Sequence, residues 1–214
     1  MGKLKKGIHG GISGKVGNVV GAYWKDIYYV RSLPKKVNNP RTKSQVKQRT
    51  KFTETIELLS TITPFIRVSF QEYSSGRLTA FNAATSYNVK HAATEVDDTI
   101  LLDYSKVLVS RGSLYPASAI KAEMVDDQLH FSWDTTLEEN ARSTDLVMLV
   151  VYNSTKKEAI TTLCAAQRSS GITQMLLPPT WLGDIIHPYI AFRSVNGEIV
   201  SDSIYLRLHN HNEE

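Results

Sequence analysis

Lys43, Lys47 and Lys51 recur at every fourth position of the run NPRTKSQVKQRTKF, with Arg41 just ahead of them and Arg49 between. Residues at this spacing share one side of a helix, so the ammonium groups repel, and each such pair costs roughly 0.2–0.5 kcal/mol in an isolated helix. A stripe that loses stability alone suits a partner carrying negative charge, either phosphates or the carboxylates of a protein. Glu54, one turn beyond Lys51, relieves only the last member. The preceding residues add Lys15, Lys25, Arg31, Lys35 and Lys36, interleaved with Tyr23, Trp24, Tyr28 and Tyr29. Cations set among aromatics hold single-stranded nucleic acid, through phosphate contacts that release counterions and through rings on which bases stack.

Other candidate chemistry dissolves on inspection of spacing. The stretch GGISGKVG invites a phosphate-loop reading, but a G-x-x-x-x-G-K-[ST] loop needs glycine where His9 stands and a hydroxyl where Val16 stands. Six histidines, at 9, 91, 130, 187, 209 and 211, are scattered; His209 and His211 sit two apart near the end of the chain, where a solvated terminus is the plain reading. His130 lies between the inward positions Leu129 and Phe131 and is expected to face solvent. Asp126-Asp127 and Glu138-Glu139 are adjacent pairs, and neighbours in sequence do not face each other as acid/base catalysis requires. Cys164 is the single cysteine, which removes intrachain disulfides and thiolate metal cages, and its setting in ITTLCAA predicts a small buried hydrophobe. Asn153-Ser154-Thr155 matches a glycosylation sequon but reads as a turn after a strand. With no nucleophile elbow and no metalloprotease motif, the expectation is a protein that is not an enzyme and takes no cofactor or metal.

The elements that must position the basic residues follow from charge and periodicity. The 214-residue chain carries 42% hydrophobic and 21% charged residues, a globular balance. Through Lys51 there are 13 Lys and Arg against one acid, Asp26, a charge of +12; from Phe52 onward 12 basic residues meet 20 acidic ones, a charge of −8. A basic head thus precedes an acidic body. No window supplies the roughly 18 apolar residues of a membrane span, and MGKLKKGIHGGISGK has a basic start without a following apolar run, so a protein without signal peptide, cytoplasmic or particle-associated, is expected.

Three segments divide the chain. Residues 1–38 are a glycine-rich basic arm in which VVGAYWKDIYYVRSL predicts a β-hairpin around Lys25-Asp26, after a flexible leader. Residues 39–98 are helical. Thr42 with Gln45 three residues later is a capping-box signature, and Val46, Phe52, Ile56 and Leu59 predict a helix over 43–60 with that face buried. A second helix is expected from Thr63-Pro64 through Phe65, Ile66, Phe70 and Tyr73, and a shorter third in LTAFNAATSYN. Residues 99–214 alternate with period two in QLHFSW, DLVMLVVY, HPYIAFRS and EIVSDSIYLRL, the last two joined through Asn196-Gly197. About seven short strands in this stretch predict an antiparallel β-sandwich, similar to immunoglobulin and fibronectin type III modules, so the fold class is α+β. In the last strand Ile204, Leu206 and Leu208 share one face, and Tyr205 and Arg207 the other.

The runs SGKVGNVVG, YYVRSLPKK, NPRTKSQVKQRTKF and TAFNAATSYN resemble a family of uncharacterised Bacteroidetes proteins that share this N-terminal signature and a β-rich C-terminal part. The core N-P-R-T-x-x-Q-x-x-x-R-x-x-F is also similar to a motif of small phage and prophage proteins of unknown role. Read structurally, Asn39 and Thr42 cap the helix after Pro40, Gln45 closes the box, Phe52 anchors it in the core, and Arg49 falls near the buried face. The resemblance implies a structural or assembly protein that meets copies of itself or a particle subunit. The charge pattern alone leaves open a nucleic-acid-binding protein.

Overall fold

A computed structural model describes residues 2–3, 12–24, 26–33, 41–96, 99–125 and 128–208, and the chain forms two compact units, 1–42 and 43–214. The segment limits read at 38/39 and 98/99 fall at residues 34–40 and 97–98, outside the described residues.

In the first unit β1 (Gly2–Lys3), β2 (Gly14–Val16), β3 (Val19–Trp24) and β4 (Ile27–Ser32) form an antiparallel sheet in the order β1-β4-β3-β2. The expected hairpin is β3–β4, with Trp24 opposite Ile27 and Asp26 at φ 61° in the turn. The glycine-rich stretch does more than lead into it. Val16 pairs with Val19 across Gly17-Asn18, and Gly17 at φ 57° meets the demand of a type II′ turn for glycine at its first position. Residues 2–3 and 14–16, expected as flexible leader, are therefore strands. Gly21 is the one buried residue of the described arm; a Cβ there would lie 2.3 Å from the Ile12 carbonyl oxygen.

The second unit begins with α1 (Lys43–Thr61), α2 (Thr63–Ser69) and α3 (Ala80–His91), close to the expected spans. Pro64 occupies the first turn of α2, where its missing N–H costs nothing. That helix ends four residues early, and Gln71–Tyr73 form a separate 3-10 turn. Thr79 caps α3 by accepting from the Asn82 N–H. The strands follow as β5 (Ala93–Val96), β6 (Thr99–Leu102), β7 (Lys121–Val125), β8 (Gln128–Ser132), β9 (Leu146–Asn153), β10 (Glu158–Thr162), β11 (Ile172–Leu176), β12 (Ile186–Arg193) and β13 (Ile204–Tyr205). They pair, all antiparallel, as a β5-β6 hairpin, a β11-β8-β7 sheet and a β10-β9-β12-β13 sheet. The class is α+β.

The four-stranded sheet is the middle layer of this unit. Met148, Val150, Tyr152, Tyr189 and Ala191 point to one side, where Leu58, Leu59, Ile62, Phe65, Ile66 and Phe70 of the helical region cover them. Val147, Leu149, Val151, Ile190 and Phe192 point to the other, against Leu129, Phe131 and Trp133 of the three-stranded sheet region. Burial on both faces is why DLVMLVVY is an unbroken apolar run.

The last segment holds this middle sheet with a defect. Val200 and Tyr205, an odd number of residues apart, belong on opposite faces of a regular strand, yet both pack toward the helices. Pairing shifts from Arg193↔Val200 to Ile190↔Ile204: three steps along β12 against four along the partner. That extra residue is a β-bulge. The polar groups it disturbs are satisfied by buried serines. The Phe192 N–H donates to Ser201 Oγ (2.8 Å), the Ser203 N–H to the Ser110 carbonyl (2.9 Å), Ser110 Oγ to the Ser201 carbonyl (2.7 Å) and the Val109 N–H to Ser203 Oγ (3.0 Å). Buried Asn88 of α3 grips the same crossing segment, donating to the Leu108 carbonyl and accepting from its N–H, both at 2.9 Å. Beyond the bulge Ile204, Leu206 and Leu208 join the sandwich side and Tyr205 the helical side, as the alternation predicts.

Candidate functional site

Register sorts the basic arm into two unlike faces. Lys15 and Arg31 are both opposite Val20, so the two cations flank that valine on one face, which also carries Trp24, Ile27 and Tyr29. The other face carries Val16, Val19, Tyr23 and Tyr28, all exposed, with the two tyrosine rings paired across the strands at 4.6 Å. Tyr23 Oη donates to Asp26 Oδ1 at 2.5 Å, tying the ring to the turn. The four aromatics expected to act together are thus split: Trp24 and Tyr29 lie with the cations, Tyr23 and Tyr28 with the valines. Lys25, Lys35, Lys36, Asn39 and Pro40 lie outside the described residues. Arg41 is exposed at φ 48°, two residues before α1, and Thr42 directly precedes the helix.

On α1 the buried face is rotated from the expected one. Thr55, Leu58, Leu59 and Ile62 are buried, and at helical spacing their line runs back through Lys51 and Lys47. The lysine stripe is therefore the extension of the packed face. Lys47 and Lys51 are half-buried, and Lys47 meets Glu95 of β5 at 2.5 Å, so a carboxylate from another element answers the middle cation. Lys43 is exposed. Phe52, expected as the core anchor, is 51% exposed, Val46 is 46% exposed, and Arg49 is exposed rather than near the core. Ile56 is half-buried, which leaves Leu59 as the one fully buried member of the expected set. Counting apolar residues chose a stripe about one residue out of phase, because the true packing line carries lysine aliphatic stems at its outer end.

Two further buried polar groups, Arg168 and His187, are held by their neighbours in the fold. Arg168, which no motif flagged, is fully buried: Nη2 donates to the Tyr115 carbonyl (2.6 Å), Nε lies 3.3 Å from Asp145 Oδ2, and the guanidinium stacks 4.1 Å over the Phe192 ring. Burial pulls its pKa below the guanidinium range and the Asp145 carboxylate opposes the shift. His187 is 8% exposed and stacked on Tyr104 at 3.8 Å, with Nδ1 3.3 Å from Tyr205 Oη and Nε2 3.2 Å from Ser154 Oγ. Burial without a carboxylate neighbour lowers its pKa to about 4, so the ring is neutral at pH 7. Ser154 Oγ donates to the Ile185 carbonyl, which makes the Ser154–His187 contact a packing bond and not an activated nucleophile. His130 is half-buried on the face opposite Leu129 and Phe131. Cys164, expected buried, is exposed just past β10. His9, His209, His211, Asp126 and Asp127 lie outside the described residues. Among the described residues no group of three His, Cys, Asp or Glu is placed to hold a metal, and no helix is long and apolar enough to cross a membrane.

Sequence comparison adds one finding. The model of a family of unknown function, DUF6266, matches residues 11–207 and so spans both compact units. No curated protein and no solved structure gives a match.

Proposed function

The chain belongs to DUF6266, a family of unknown function, so its role must be read from its own surfaces, and we propose a non-enzymatic structural or assembly protein. It self-associates, or docks in a larger particle of phage-derived type, through its basic N-terminal region, and is cytoplasmic or particle-associated. The observation that carries this reading is the arm sheet. Among the arm residues whose burial is described, Gly21 alone is buried, and such a sheet needs a covered apolar face to be stable. Val16, Val19, Tyr23 and Tyr28 offer that face, exposed Val46 and Phe52 on α1 add apolar surface in the body, and the charge division of +12 against −8 supplies long-range attraction between copies. A contact between the head of one copy and the body of the next is heterologous and builds rings or filaments. The body fits the same role. Strands β7–β13, divided three and four between facing sheets, support reading it as a fibronectin type III-like sandwich, a common spacer and docking module.

Size-exclusion chromatography with light scattering, read at 260 and 280 nm, tests this. The wild-type chain should elute as a large, nucleic-acid-free species, and the double variant Val19→Ser, Tyr23→Ser should elute as a monomer. A wild-type monomer at tens of micromolar (a working concentration of roughly the range in which weak interfaces act) sinks the reading. A second reading, nucleic-acid binding, is favoured by Lys15, Arg31, Trp24 and Tyr29 sharing one face. It requires a peak rich in 260 nm absorbance that high salt and nuclease reduce, and affinity for a single-stranded oligonucleotide that falls steeply with salt and is lost in Lys15→Glu, Arg31→Glu. Salt-independent affinity eliminates it.

A further inference from the structure

The body holds a cavity that none of the assembly argument uses. β7 and β13 are edge strands of the two facing sheets, and at these edges the layer opens into a recess of about 550 Å³, within the range of small-molecule sites. Its lining is mixed, with an apolar wall on one part and Asp184, His187, Tyr205 and Arg207 on the rest. Leu177 and Trp181, both buried, come from the segment joining β11 to β12, Met124 from β7, and Leu208 from the chain beyond β13. Leu182 and Ile185 stand at the recess 80% and 65% exposed, an apolar surface with nothing over it among the described residues.

Charge in the recess is one-sided. Asp184 is held by Asn153 Nδ2 at 2.7 Å and by Lys156 Nζ at 3.3 Å, so its carboxylate is already neutralised. His187 sits at the wall with both ring nitrogens engaged by Tyr205 and Ser154. Arg207 also lines the recess, is exposed, and makes no ion pair among the described residues. A recess with an apolar wall and this guanidinium among its polar lining suits a ligand with an apolar body and an anionic head, because the head gains a charge-assisted, bidentate hydrogen bond while the body leaves water.

We infer that this recess binds a small amphiphile with one carboxylate, its hydrocarbon part against Trp181, Leu177 and Leu208 and its carboxylate on Arg207. The residues named for this site all lie between Met124 and Leu208, so its test is separate from that of assembly through the arm.

The test is isothermal titration of the full-length chain with sodium decanoate below its micelle concentration, together with tryptophan fluorescence. Saturable binding is expected, with a fluorescence change that disappears in Trp181→Phe. Arg207→Gln, an exposed substitution that leaves the fold intact, should weaken decanoate about tenfold, the loss of one charge-assisted contact. Decyltrimethylammonium, of equal length and opposite charge, should bind more weakly than decanoate. Three results overturn the inference: no saturable decanoate binding, equal affinity for the two surfactants, or an Arg207→Gln variant that binds decanoate as the wild type does. A chain whose light-scattering mass falls to a monomer on Leu182→Asp, with no decanoate binding in either form, assigns the recess to a second copy instead.

Discussion

In β9 every residue from Val147 to Asn153 is buried, whereas in β3 of the arm Gly21 alone is. Both strands lie in the interior of four-stranded antiparallel sheets, so backbone pairing does not distinguish them. Surroundings do. The body sheet is sealed by helices on one side and a second sheet on the other, and its stability comes from apolar area removed from water, about 25 cal/mol per Å². The arm sheet is specified by turn chemistry at Gly17-Asn18 and at Asp26, which fixes register without supplying burial. A strand can therefore be well specified and poorly stabilised, and that combination is what a surface awaiting a partner needs.

The contrast breaks most sharply at the deepest point of the body. Arg168→Met should destabilise by about 3–5 kcal/mol, since it strands the Asp145 carboxylate without its partner in the interior; a urea midpoint within error of wild type refutes the account of this pair. Leu149→Ala, in the sandwich core, should cost about 2–5 kcal/mol by the same assay. Acid sharpens the comparison. His187 has its pKa depressed from 6.5 to about 4, so the unfolded chain binds the extra proton, and the stability this gives is complete above pH 6.5 and is lost as pH falls toward 4. Between pH 7 and pH 5 the body should lose about 2 kcal/mol through this group, and His187→Phe should flatten that part of the profile. The arm gives the smallest effect. Deleting residues 1–42, or changing Val19→Ala, should move the unfolding midpoint of the monomeric body by less than about 0.5 kcal/mol while changing assembly. A large thermal shift from Val19→Ala would mean that the arm is part of the body's core.

Much of this fold was legible where periodicity acts locally. The limits of α1, the β3–β4 hairpin and the parity of Ile204, Tyr205 and Leu206 all follow from spacing within a dozen residues. The sequence pattern misled where a face is chosen by a distant element. Val46 and Phe52 look like core on a helix considered alone, but the β5–β6 hairpin packs along the Lys47–Lys51 line, and Glu95 could not be assigned to Lys47 from sequence. The unbroken DLVMLVVY run did hold a readable signal, since a strand without alternation is covered on both sides. For the recess there was none: Met124, Trp181 and Arg207 are far apart in the chain and converge only because β7 and β13 edge facing sheets. Cys164 was misplaced because its neighbours Leu163 and Ala165, just past β10, pack against the core while the Cys164 side chain between them is exposed.

The bulge between Val200 and Ile204 makes chain length itself informative. Loops absorb an added or lost residue by changing shape, but here a single deletion would reverse inside and outside for everything downstream. Tyr205 would turn toward the sandwich, Leu206 and Leu208 toward the helices, and Arg207 would swing from the face it now shares with Tyr205. The three serines and the asparagine around the crossing are thus the keepers of a count. Any variant of this chain that drops one residue there must drop another from β12, or lose the recess and the last strand together.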